Sequence, residues 1–169
     1  MDAQPGKYQP RTLGIRPMDR DDIAQVARIE RACFSVPLNE TEIRRSLARK
    51  ATTWVVAVDD GGEVLGFSQT SKRTARCIEL LHVAVLPEVR RRAIGARLVE
   101  RVLKGAIAAG CRVVFCVPET NLTAMLWLKA LGIEAVGIKH DEFLLPGPGG
   151  VDVRVDGVQF CWRPGENKK

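Results

Sequence analysis

Three successive arginines, Arg90, Arg91 and Arg92, precede Ala93, Ile94, Gly95 and Ala96, where an apolar run ending at Pro87 gives way to a helical pattern. A strand that stops and turns into a helix presents backbone N–H groups at the helix N-terminus, which makes such a corner an anion site. Small side chains at 93, 95 and 96 let a phosphate reach the backbone, and guanidinium groups can neutralise a pyrophosphate and a further phosphate nearby. The stretch is not a Walker loop, since no Gly-Lys-Ser/Thr follows, nor is it a dinucleotide fingerprint of the Gly-x-Gly-x-x-Gly kind. It also suits an exposed basic helix start, and taken alone it does not choose between the two.

The other reactive side chains narrow the chemistry. The cysteines, Cys33, Cys77, Cys111, Cys116 and Cys161, are odd in number, widely spaced and set among apolar residues, which suits reduced core thiols. No Cys-x-x-Cys pair is present, and His82 and His140 are the only histidines, so no metal is expected.

The elements that position these residues follow from punctuation and periodicity. A chain of 169 residues has room for one core. With 46% apolar and 27% charged residues it has an ordinary globular composition. Residues 12–163 are expected to form a single domain, with 1–11 a flexible leading segment and 164–169 a flexible tail. A net charge of +6 favours anionic partners, but only 5% of residues are aromatic, so nucleic acid is not expected. Nowhere do 18 apolar residues run together and "MDAQPGKYQP" has no secretory apolar core, so no membrane partner and a cytoplasmic location are expected.

"TLGIRP" predicts a first strand and "MDRDDIAQVARIERACF" a helix. "NETEIRRSLARK" predicts a second helix with Asn39 and Glu42 in a capping box. "TTWVVAVDD" and "EVLGFSQTS" predict a hairpin turning at Asp60, Gly61 and Gly62, and "CIELLHVAVL" a long buried strand. A helix with an apolar face at Leu98, Val102 and Ala106 ends at Gly110, and "CRVVFCV" is a further strand. A helix over 121–132, the strand "IEAVGIKHDEF", the Pro/Gly-rich loop "LLPGPGGVDVRVDG" and the strand "GVQFCWR" complete an α/β or α+β pattern.

"HVAVLPEVRRRAIGARL" followed by "VPETNLTAMLWLKALGI" resembles the GNAT superfamily of acetyl-CoA-dependent N-acetyltransferases over roughly residues 79 to 143, and the earlier elements follow that family's order. "VPETN", with "IERACF" upstream, is most similar to the ribosomal-protein alanine N-acetyltransferases, which modify protein α-amines. The resemblance implies a mixed, mostly antiparallel sheet of six to seven strands flanked by four helices. It further implies that Val83, Ala84 and Val85 offer backbone groups to the pantetheine arm of acetyl-CoA. Arg90, Arg91, Arg92, Ala93, Ile94, Gly95 and Ala96 would wrap its pyrophosphate, and Asn121 would touch the cofactor where two strands part.

The chain departs from this pattern at three positions. Ala93 replaces the first glycine of the phosphate loop, at a cost of about 1 to 2 kcal/mol if φ is positive there. Cys116 stands where the α-amine branch has its proton-accepting glutamate, and Leu128 where it has its proton-donating tyrosine. Two side chains on the strand leading into the corner remain as candidate bases. Glu79 occupies the place of the glutamate in histone-type branches, and His82 has an unperturbed pKa of about 6.5. Alternation puts them on opposite sheet faces unless a bulge intervenes.

The expected function is acetyl transfer from acetyl-CoA to an amine, foremost a protein or peptide N-terminal α-amine. The alternatives are a small-molecule amine acetyltransferase and a degenerate CoA-binding sensor or scaffold.

Overall fold

Asn39 accepts a hydrogen bond from the Glu42 N–H while Glu42 accepts one from the Asn39 N–H, so the expected capping box opens a helix of the computed structural model, which describes residues 13–165. The elements run β1 Gly14–Pro17, α1 Ile23–Cys33, α2 Glu40–Leu47, β2 Thr52–Val58, β3 Val64–Thr74, β4 Cys77–Val85, α3 Ile94–Ala108, β5 Arg112–Pro118, α4 Leu122–Ala130, β6 Glu134–Pro146 and β7 Asp152–Trp162. The sheet has seven strands in the order β1-β2-β3-β4-β5-β7-β6, and β4 with β5 is its parallel pair. The expected mixed, mostly antiparallel sheet with four helices is therefore present. The expected flexible segments, apart from Pro164 and Gly165, lie outside the described residues. Among the described residues no helix is long and apolar enough to cross a membrane.

Two hydrophobic clusters fill the molecule. The first joins α1, α2 and both faces of β2 and β3 to Ile94 and Leu98 of α3. The second joins β5, α4 and the end of β7 to Val99 and Ala106 of the same helix. Ile23, Val26, Ala27 and Glu30 share the inward stripe of α1, spaced as a helix demands, and the last of them is a carboxylate with no exposed surface.

β4 carries a bulge. Gln69 faces His82 and Thr70 faces Leu80, leaving Leu81 as the extra residue. Leu80 accordingly packs with Val113 and Phe115 in the second cluster, whereas His82 meets α1 on the opposite face. The reversal places Glu79 on the face of His82, so the expected alternation does not hold.

The C-terminal hairpin is longer than expected. The expected loop over 144–157 is mostly strand, because the cluster of chain-breaking residues is confined to Pro146–Gly150 while Val153 and Val155 alternate with polar residues and Gly157 is held in the ladder opposite Lys139. Only residues 147–151 turn.

Candidate active site

The parallel pairing of β4 with β5 covers only four residue pairs, from Cys77 with Arg112 to Leu80 with Phe115. Beyond it the strands part, and a cleft of about 540 Å³ opens between them. His82 and Val83 form its β4 wall, Cys116 its β5 wall, and Phe34, Trp127 and Phe143 close its sides. The wall is largely apolar, which suits a ligand held by shape with a few polar contacts.

Backbone alternation decides which groups of β4 face the gap. The Leu86 N–H donates to the Leu65 carbonyl at 2.9 Å, so residue 84, two positions back, also directs its peptide groups toward β3. Val83 and Val85 direct theirs into the gap, and of the expected trio Ala84 does not. The Val85 carbonyl already accepts the Arg90 Nε–H at 3.0 Å and the Cys33 thiol at 3.5 Å. Arg90 also donates to Cys33 Sγ at 3.2 Å, so its guanidinium buttresses the strand end rather than reaching outward.

The basic corner is built from backbone. Arg91 has φ 62° and Ala93 φ 59°, two left-handed residues just before α3. Such alternation curls successive N–H groups around a concavity that takes an anion. The N–H groups of Arg91, Ala93, Ile94, Gly95 and Ala96 have no acceptor among the described residues. They point outward at the positive end of a 15-residue helix. Gly95 lies against the cleft: a Cβ there would stand 3.4 Å from the Trp127 ring and 3.7 Å from Val85.

The two candidate bases have different surroundings. Glu79 is buried and ion-paired with Arg73, and it does not line the cleft. His82 does line it. Its ring packs on Phe34 with centroids 4.8 Å apart, and Nδ1 lies 2.7 Å from Glu30 Oε1. The structure thus brings His82 to the gap and adds Glu30, Cys33 and Phe34, to which the sequence reading assigned no role at the site although all three lie in the "IERACF" stretch. Glu30 carried one available signal, a charge on the apolar stripe of α1.

Residues 23–133 match the Acetyltransferase (GNAT) family. The chain belongs to the GNAT family of acetyltransferases. Solved structures agree in fold. The ribosomal-protein-S18-alanine N-acetyltransferase of Escherichia coli superposes with a TM-score of 0.77 at 19% identity, covering 94% of this chain and 99% of that one. NAA60 of Arabidopsis thaliana, in complex with a bisubstrate analogue, gives 0.77 at 20% identity, covering 90% and 98%. A phosphinothricin acetyltransferase of Sinorhizobium meliloti, in complex with acetyl-CoA, gives 0.73 at 21% identity, covering 93% and 91%. No curated protein sequence matches the chain.

As a GNAT acetyltransferase the protein is an acyltransferase of a family that uses acetyl-CoA. Asn121 caps α4 by accepting the Ala124 N–H at 3.1 Å, and it also lines the cleft. Leu128 is 2% exposed and belongs to the second core. Cys116 lines the gap, and burial, reinforced by the negative charge of Glu142, pushes its thiol above the ordinary value. It stays protonated at neutral pH, unlike the thiolate an acyl carrier needs.

Proposed function

We propose that this acetyltransferase transfers acetyl from acetyl-CoA to a protein or peptide N-terminal α-amine, in the cytoplasm. The observation that carries the reading is the set of N–H groups of Arg91, Ala93, Ile94, Gly95 and Ala96, without an acceptor among the described residues, at a helix start whose Gly95 stands against Trp127 of a cleft that bears one imidazole on its wall. In this reading those groups hold the pyrophosphate, with Arg91 and Arg92 beside it, while Val83 and Val85 line the pantetheine arm and Asn121 borders it. Arg90 acts one step back, by supporting the Val85 carbonyl. Acetyl-CoA supplies an activated acyl group with a thiolate leaving group. The chain's own part is to orient the amine, exclude water and take up a proton.

His82 is the proton acceptor in this scheme, and the weakness of a lone imidazole indicates the acceptor class. An α-amine with pKa near 8 is appreciably neutral at physiological pH, whereas a lysine near 10.4 is almost wholly charged. The five cysteines are all free, which suits a reducing compartment.

A panel of peptides with free or blocked N-termini, incubated with acetyl-CoA and read by mass spectrometry, tests the proposal. Acetylation of the free α-amine, lost on blocking, is the expected result. Transfer confined to lysine side chains or small amines refutes it.

A further inference from the structure

Glu30 is the one charged side chain on the inward stripe of α1, and it is 0% exposed. A carboxylate is tolerated there only if both oxygens are satisfied. Each has a partner. Oε2 accepts the Leu38 N–H at 3.1 Å, and Oε1 lies 2.7 Å from His82 Nδ1. The pair bridges 52 residues of sequence and ties α1, the segment after it and β4 together at the cleft.

The hydrogen-bond arithmetic constrains the imidazole. A carboxylate can only accept, so Nδ1 must donate, and in the neutral ring Nε2 is then the acceptor. Nε2 has no hydrogen-bond partner among the described residues, the side chain is 24% exposed, and the residue lines the cleft. The Phe34 ring, tilted against the imidazole, limits its rotation. A ring anchored at one nitrogen by a buried carboxylate, with its other nitrogen free at the cleft, has the form of a general base held in one tautomer.

We propose that Glu30 is a positioning residue that keeps the His82 proton on Nδ1 and its Nε2 lone pair in the cleft, ready for the proton that the acceptor amine loses. This rests on the acetyl-transfer reading above. In the step it serves, the amine nitrogen bonds to the acyl carbon and the carbon–sulfur bond breaks. The sulfur leaves with the electron pair, and the amine proton moves to Nε2. The imidazolium so formed is stabilised by Glu30 until it returns the proton to the departing thiolate or to water.

Glu30→Gln separates this role from packing because it preserves shape and reverses donor sense. The single Gln oxygen serves the Leu38 N–H, which leaves the NH2 group facing Nδ1 and forces the ring proton onto Nε2. In nitrogen-15 spectra of the histidine rings, the wild-type protein should show His82 protonated at Nδ1 and the variant at Nε2. kcat should fall about 100-fold or more, with KM for acetyl-CoA within about twofold of wild type. A wild-type ring protonated at Nε2 overturns the proposal without any variant, and so does a Glu30→Gln rate within about threefold of wild type. Rates are taken with whichever amine turns over fastest. A failure of the α-amine assignment then appears in the peptide panel, and a failure of the Glu30 role in the spectrum and the rate.

Discussion

The proposed anion corner abuts, through Gly95 and Trp127, the cleft that His82 lines, but the corner and the imidazole pair are made in opposite ways. The corner spans residues 91–96, contiguous in sequence, and its donors are main-chain N–H groups set by two positive φ angles and a helix start. The pair consists of two side chains from α1 and β4, brought together by a strand bulge and a buried stripe. Backbone donors survive most side-chain changes, whereas an acid–base pair is lost with either member. This difference explains how a chain can keep the corner while carrying Cys116 and Leu128 beside the gap.

Substitutions that strike one region and spare the other test this contrast. The largest effect should come from His82→Ala, which removes the proposed proton acceptor. kcat is expected to fall at least about 100-fold while calorimetric affinity for acetyl-CoA stays unchanged. Loss of that affinity would show that the two regions are not separable. Arg91→Ala should do the reverse, weakening acetyl-CoA binding about tenfold in Kd with kcat at saturation preserved, since one exposed charge-assisted contact is lost and the N–H groups remain. An unchanged Kd would leave the corner as a solvated helix start. The smallest effect is expected from Ala93→Gly. With φ at 59°, alanine bears a left-handed cost of about 1 to 2 kcal/mol, of which glycine's freer unfolded chain takes back about 0.4 to 1 kcal/mol. A net gain of about 0.5 to 1 kcal/mol should appear as a higher urea midpoint, and a loss would contradict the left-handed assignment.

The two regions also differ in how far they could be read without coordinates. The corner was legible because its cause is local: a proline, three arginines and small residues at a helix start occupy ten consecutive positions. The Asn39–Glu42 box and the turn at Asp60–Gly62 were legible for the same reason. The face of Glu79 was not, because it depends on the extra residue Leu81, and a bulge leaves no mark in a run as uniformly apolar as this one. Glu30 lay inside a helix whose existence was legible though it begins only at Ile23, yet its meaning required a partner 52 residues away. The hairpin over 144–157 was misread because glycine and proline at its centre outweighed the alternating valines that followed.

α3 has a consequence for how the whole chain responds. Its first turns lie in one hydrophobic cluster, through Ile94 and Leu98, and its later turns in the other, through Val99 and Ala106. β4 does the same on the sheet side, with Ala84 in the first cluster, Leu80 in the second and Val83 against both, while four parallel pairs join it to β5. The helix and this strand together tie the two halves to each other. The N-terminus of α3 is also the corner proposed to take the phosphate groups. A ligand that binds there stabilises the folded chain as a unit by mass action, and residues of the second core share in that stabilisation without touching it.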